Sequence, residues 1–282
     1  MDDSVKSWPA PAKINLFLHV VGRRPDGYHL LQTAFQFLEL SDTLHFEPRS
    51  DGAVRRIGGL AEVPEDADLV VRAARRLQEQ TGSTRGADIH VDKRIPAGGG
   101  LGGGSSDAAT TLVALDAIWG LGLGTERLAE IGLALGADVP VFVRGRAAWA
   151  EGVGEILTPI DPPESWLLVV KPDCTVPTAE IFKAAELTRN TPPMTMLDLF
   201  AGRGRNDCEP VVRIRYPQVA RALDWLGRHA SARMSGTGAC IFARFQAREG
   251  AEAVARELPS PWTGFITRTI NVSPLLARRA GD

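Results

Sequence analysis

Between residues 98 and 104 six of seven positions are glycine, and only Leu101 interrupts the run. Ordering such a stretch costs about 0.5–1 kcal/mol per glycine relative to alanine. A folded chain therefore keeps it where the backbone must pass somewhere a Cβ cannot. Upstream, residues 87–92 alternate as a strand does. Downstream, Ser105-Ser106-Asp107 offer side-chain oxygens to cap a helix expected over 107–118. A glycine run between a strand and a helix N-terminus lets backbone N–H groups and the helix dipole converge on an anion. The pattern reads as a phosphate loop, and the plain alternative is a flexible connector.

Neither common phosphate loop fits. The Walker A pattern needs a lysine after its last glycine, and here Gly103 is followed by Gly104-Ser105. A dinucleotide fingerprint can be laid on Gly98, Gly100 and Gly103, but it also requires an acidic residue on the next strand, about 20 residues on. Those residues belong to a helix expected from Thr125.

The rest of the chain supplies the frame. Over residues 10–21, Ala12, Ile14, Leu16, Leu18 and Val20 share one face, and Lys13, Asn15, Phe17 and His19 share the other. That period of two predicts a strand with one buried face. Turn chemistry at Arg23-Arg24-Pro25-Asp26-Gly27 leads to strand-like runs over 28–40 and 43–47, an antiparallel meander. A helix is expected over 66–80, with Leu69, Val70, Ala73, Ala74 and Leu77 inward and Gly82 at its end. The 107–118 helix is apolar almost all round, hence central. A strand is expected over 141–150. Pro159, Pro162 and Pro163 mark a junction, dividing the chain into 1–158 and 159–282. Strands over 166–170, 240–245 and 265–272 interleave with helices over 179–186, 217–229 and 247–258, so the second part reads as an α+β sandwich.

Composition excludes several functions. A net charge of −2 over 282 residues leaves no electrostatic footprint for nucleic acid. No apolar run approaches the ~20 residues of a membrane span. The opening MDDSVKSW is acidic where a secretion signal needs positive charge. Cys174, Cys208 and Cys240 are odd in number with no C-x-x-C, and the five histidines form no H-x-x-x-H pair. Neither a disulfide framework nor a protein-built metal site is expected, and a cytoplasmic location is.

The run Pro96-Ala97-Gly98-Gly99-Gly100-Leu101-Gly102-Gly103-Gly104-Ser105-Ser106 resembles the phosphate-binding motif of the GHMP kinase superfamily. Three further segments, PAKINLFLHVVGRRPDGYHLLQT at 11–33, GADVPVFVRGRAAWAEGVGE at 136–155 and SGTGACIFARF at 235–245, are similar to the branch that phosphorylates 4-diphosphocytidyl-2-C-methyl-D-erythritol. The PxGYH tail of the first is the specific part, and the likeness spans nearly the whole chain. The resemblance implies an α+β, two-domain fold. Its N-terminal nucleotide-binding domain would be of the ribosomal-protein-S5-domain-2-like type and its C-terminal domain a ferredoxin-like α/β sandwich, with the active site in the cleft between them. It also implies ATP-dependent phosphorylation of a 2-hydroxyl in the non-mevalonate route to isoprenoid precursors. The partners would be two small molecules, ATP with Mg²⁺ and a cytidyl-diphosphate sugar alcohol. The chain would be a monomer or weak homodimer.

Residue roles follow from the same resemblance. Lys13, which alone would read as a solvated strand lysine, becomes the cation that stabilises charge in the transition state. Asp138, otherwise a turn aspartate before Val139-Pro140, becomes the general base. Placed just beyond a helix C-terminus, it is expected to oppose that helix's dipole. Lys93, the glycine run and Ser235-Gly236-Thr237-Gly238 go to ATP. Tyr28 and Phe182 flank a cytosine whose edge His29 reads, and Asn15 and Thr178 face the same substrate. One position departs from the pattern: Asp68 in Ala67-Asp68-Leu69 stands where the family has asparagine near adenine, and an ionised aspartate cannot donate a hydrogen bond. A kinase of mevalonate or homoserine type and a non-catalytic nucleotide sensor are the alternatives.

Overall fold

A computed structural model describes residues 7–58 and 63–280; the acidic opening at Met1–Lys6 lies outside the described residues. Two long strands, β1 (Trp8–Arg23) and β2 (His29–Arg49), start the fold on either side of the Pro25-Asp26-Gly27 turn. They pair antiparallel from Trp8 opposite Leu44 to Arg23 opposite His29, with register slips that include one between Pro11 and Lys13. The two runs expected over 28–40 and 43–47 are one strand. Asp42, in the gap between the two expected runs, is fully buried within it.

The alternation on β1 predicted one buried face, and both faces are covered. Lys13 and Asn15 are each 3% exposed and His19 6%. Period two identifies two faces but says nothing about what later segments will lay over the second.

Next come β3 (Val54–Ile57), α1 (Leu69–Thr81) and β4 (Gly86–Asp92). A 3-10 turn over Glu65–Ala67 precedes α1, and Gly82 ends it in the left-handed region, as expected. The central helix α2 (Gly103–Trp119) begins four residues earlier than predicted, with Gly102 rather than a serine at its N-cap. Ser105, Ser106 and Asp107 thus lie inside the first turns, and every residue from Ser106 to Asp116 is buried.

Helices α3 (Gly124–Leu133) and α4 (Val139–Arg144) lead to β5 (Ala148–Glu151) and β6 (Ile156–Pro159). The strand expected over 141–150 is therefore half helix. Pro140 sits in the first turn of α4, where its fixed φ suits a helix. Burial of Val139, Val141, Phe142 and Val143 outweighs their β preference.

The second half contains β7 (Trp166–Lys171), α5 (Thr178–Lys183), α6 (Met196–Phe200), α7 (Glu209–Arg215) and α8 (Pro217–Leu226). After them come β8 (Ala232–Met234), β9 (Ile241–Phe245), α9 (Arg248–Ala255), β10 (Thr263–Ile270) and α10 (Pro274–Ala280). One sheet runs through both halves in the order β3-β4-β2-β10-β7-β9-β8, with β1 and β5 also on β2 and β6 on β5. The join is β10, which pairs with β7 over Thr263–Arg268 and with β2 at Thr269 and Ile270.

Three apolar clusters fill the molecule. One packs α1 to α4 on the first half of the sheet, and one packs α7 to α9 on the second. The third lies between them and contains Ile14, Ile95, Leu101, Val169 and Phe242. Leu101, the only side chain in the glycine run, is 1% exposed there. Burying a leucine stabilises by about 1.5–3 kcal/mol, enough to pin an otherwise side-chain-free loop.

Candidate active site

The glycine loop is built by contact rather than by flexibility. Gly100 and Gly102 both hold φ of +73°. A Cβ on Gly100 would come within 2.2 Å of the Ser235 carbonyl oxygen, and one on Gly102 within 2.8 Å of the Phe142 ring. The loop's opposite wall is the second glycine turn, Ser235–Gly238. Cys240 N donates to Gly99 O at 3.0 Å, and Ser235 Oγ donates to Gly100 O at 2.9 Å. The backbone N–H of Asn15 donates to the same Ser235 hydroxyl at 3.3 Å. Asn206 Nδ2 donates to the carbonyls of Met234 and Gly236, holding the turn from behind.

Beside the loop stands Lys13. Its backbone N–H donates to Leu101 O at 2.9 Å where the β1 register slips. Its Nζ donates to Asn15 Oδ1 at 2.7 Å and to Gly100 O at 3.2 Å, and lies 3.2 Å from Asp138 Oδ2. Asn15 is in turn set by Thr33, whose Oγ1 accepts from Asn15 Nδ2 at 2.9 Å. Asp138 does not oppose a helix dipole as expected. It is the residue entering α4, where negative charge is favoured, and its side chain makes no capping bond. The sequence showed the helix behind it and hid the short one ahead. The Asp138 side chain is 32% exposed while that of Lys13 is 4% exposed, so the carboxylate faces the cavity and the cation supports it.

Lys93 sits between two carboxylates. Its Nζ bonds Asp42 Oδ2 and, at 2.7 Å, Asp107 Oδ2. Asp42 Oδ1 also accepts from the backbone N–H of Arg94 and Ile95, which fixes the approach to the glycine run. Burial works against the Lys93 charge, but the Asp107 and Asp42 carboxylates outweigh it and raise its pKa above the usual range. Burial pushes the Asp107 carboxyl up to about 7 against the pull of Lys93, and Asp42 adds to the rise. The Asp107 Oδ1 and Ser106 Oγ atoms are buried without a partner.

Asp68 is engaged structurally. Its Oδ1 accepts from Val70 N at the start of α1, and its Oδ2 pairs with Arg56 Nη1 at 2.5 Å. Both carboxylate oxygens are thus committed, one to a cap and one to an ion pair.

At the other end of the cavity His29 lies flat on Phe182, ring centroids 5.2 Å apart and 30° between planes. Tyr28 is 65% exposed on the turn beside them. Thr178 Oγ1, at the start of α5, is 2.9 Å from Thr237 Oγ1 of the second glycine turn. Arg189 Nε donates to His29 Nε2 at 3.0 Å.

These groups converge on one cavity of about 1170 Å³. It is lined by Lys13, Asn15, Asp138, Lys93 and Asp68, by the loop from Pro96 to Ser105, and by Tyr28, His29, Thr178, Phe182, Gly236 and Thr237. Ser106, Ser235 and Gly238 lie behind this lining. Asp42, Asp107, Arg56 and Arg189 were missed. Asp42 falls between two expected strand runs, Asp107 reads as a helix cap, and the two arginines carry no pattern that a single sequence exposes. Among the described residues no group of three or more His, Cys, Asp or Glu could hold a metal ion, and no helix is long and apolar enough to cross a membrane.

A sheet shared by two α+β halves, with a glycine loop facing a second glycine turn, defines a GHMP kinase. Residues 68–146 match the GHMP kinases N terminal domain and 181–264 the GHMP kinases C terminal domain. The 4-diphosphocytidyl-2-C-methyl-D-erythritol kinase of Alkalilimnicola ehrlichii is 61% identical over 277 residues, 98% of this chain and 95% of that one. The enzyme of that name from Halorhodospira halophila is 62% identical over 271 residues, covering 95% and 94%. A crystal structure of 4-(cytidine 5'-diphospho)-2C-methyl-D-erythritol kinase superposes with a TM-score of 0.81 at 33% identity, covering 94% of this chain and 99% of that one. The chain belongs to the 4-diphosphocytidyl-2-C-methyl-D-erythritol kinase family, and it is a kinase with ATP as co-substrate. A crystal structure of mevalonate kinase superposes with a TM-score of 0.70 at 15% identity over 94% of this chain and 99% of that one, a likeness of fold alone.

Proposed function

We propose that this kinase transfers the γ-phosphoryl group of ATP to the 2-hydroxyl of 4-diphosphocytidyl-2-C-methyl-D-erythritol, giving ADP and the 2-phosphate. The observation that carries the reading is the Lys13–Asp138 pair at 3.2 Å, beside Gly100 O and inside the cavity that also holds His29 and Phe182.

Asp138 takes the proton of the 2-hydroxyl as its oxygen closes on the γ-phosphorus. The bond from that phosphorus to the β,γ-bridging oxygen breaks, and ADP leaves with the electron pair. Lys13, held by Asn15 and Gly100 O, presents a fixed positive charge to the developing anion. Phosphoryl transfer asks mainly for positioning and charge stabilisation, so one base and one cation suffice. The loop from Pro96 to Ser106 and the Ser235–Gly238 turn receive the triphosphate between them, with Mg²⁺ carried in on the nucleotide. Lys93 and Asp68 lie toward the nucleoside, while Tyr28, His29, Phe182 and Thr178 receive the cytidyl group. In this reading 1–158 supplies the nucleotide side and 159–282 lays its glycine turn over the phosphates.

The test is ADP release from purified protein with Mg·ATP and one of three acceptors: the cytidyl substrate, mevalonate or homoserine. ADP with the cytidyl compound alone is the expected result. Turnover on another alcohol would discard the cytidyl pocket, and ATP binding without turnover on any acceptor would make the protein a sensor.

A further inference from the structure

The His29 ring has two nitrogens, and the structure commits one. Arg189 Nε donates to His29 Nε2 at 3.0 Å. An N–H donates only to a bare ring nitrogen, so in the neutral imidazole the proton sits on Nδ1. Arg189 has no freedom to do otherwise. Its Nη2 donates to the carbonyls of Phe182 at 3.0 Å and Ala184 at 2.7 Å, and its Nη1 to Leu187 O at 3.0 Å. The guanidinium is a rigid planar fork, so these three bonds fix the direction of Nε. Arg189 therefore ties the end of α5, which carries Phe182, to the first residue of β2. No side chain of the described residues occupies the His29 Nδ1–H, and the ring lines the cavity. Burial, then the charges of Arg189 and Arg23, lower the His29 pKa below its usual value, which favours the neutral ring.

We propose that Arg189 is a specificity-determining positioning residue: through its bond to His29 Nε2 it holds that ring as the Nδ1–H tautomer, so the pocket offers a donor and selects a pyrimidine whose N3 is a bare acceptor. Cytosine has such an N3. Uracil carries a hydrogen there and would meet a donor with a donor, leaving two N–H groups unpaired in a partly buried site. The selectivity rests on the cytidyl reading above; the tautomer does not.

The experiment has two arms. Protein labelled with ¹⁵N-histidine is examined by long-range ¹H–¹⁵N correlation at about pH 8, where imidazole is neutral, with His29→Asn to assign the signals. The wild type should show His29 protonated on Nδ1. In Arg189→Met the proton should move toward Nε2, the site imidazole prefers in water. In the second arm CDP and UDP compete with the substrate. The wild-type preference for CDP should fall by about tenfold or more in Arg189→Met, the scale of one lost polar discrimination, with the KM for ATP unchanged. Arg189→Lys keeps the charge without the fork and is read in both arms should the methionine variant fail to fold. An Nε2–H tautomer in the wild type, or CDP competition with an unchanged CDP/UDP ratio in the variants, would overturn the role of Arg189. Failure of both nucleotides to compete with the wild type would instead overturn the cytidyl reading.

Discussion

Lys13 Nζ stands 3.2 Å from Asp138 Oδ2, with the lysine buried in β1 and the aspartate a third exposed at the entrance to α4. The asymmetry is what the proposed roles rest on. A buried cation bonded to Asn15 Oδ1 and Gly100 O cannot move, whereas the carboxylate beside it is open to the cavity. Asp138→Asn should therefore lower kcat by on the order of 10²–10⁴ while ATP still binds, since proton acceptance and the charge facing Lys13 are lost but the glycine loop is untouched. Steady-state kinetics with calorimetric ATP binding checks this, and near-normal turnover would remove Asp138 from the chemistry.

Lys13→Met should lower kcat with little change in either KM, because the charge is felt by the transition state more than by bound substrates. A change confined to KM would make Lys13 a binding residue.

Asp107 predicts a pH dependence of stability. Its carboxyl is raised from an ordinary 3.8 to about 7 by burial. Between those values the folded protein holds a proton that the unfolded chain has released. This group's contribution is therefore most favourable below the unfolded value and is lost as pH rises through about 7. Asp107→Asn has no proton to lose, so its stability relative to wild type should rise with pH across that window. Urea unfolding at several pH values between those limits checks the sign, and a relative fall across the window would refute it.

Phe182→Ala should raise KM for the cytidyl substrate by up to about tenfold, the loss of a stacking contact of ~0.5–1.5 kcal/mol. CDP inhibition should weaken in parallel. An equal rise in the KM for ATP would point to collapse of α5 instead.

Gly100→Ala should cost on the order of 1–3 kcal/mol from backbone strain alone, with more from the clash at the Ser235 carbonyl. Gly124→Ala is the control, because its φ is +76° and nothing lies within 4 Å of a Cβ there. A larger fall in Tm at position 100, with a raised KM for ATP, is the expected result.

The glycine loop could be read where local chemistry constrains the residue, whereas the roles given to Lys13, Asp138, Tyr28, His29 and Phe182 came from the family resemblance alone. The glycine run, the PDG turn and the period of α1 each follow from backbone freedom or amphipathicity over a few positions. What escaped was decided by distant chain. Asp42 is a strand residue only because Lys93 and the N–H groups of Arg94 and Ile95 come to meet it. The 141–150 segment has strand-like side chains, yet burial of Val139 to Val143 puts its first turn into α4. Ser105 and Ser106 look like caps because serine usually is one, and Gly102 takes that position because the loop's curvature needs a left-handed residue there.

The pairing of β10 with both β2 and β7 bears on how the enzyme turns over. Main-chain bonds across Leu38–Thr269 and Phe37–Ile270 stitch the halves into one plate, so a jaw-like swing of one half against the other would have to tear them. Opening of the cavity would then fall to surface segments at its rim, such as the turn that carries Tyr28. Any movement the cavity needs is then sought in its loops rather than in a hinge between the halves.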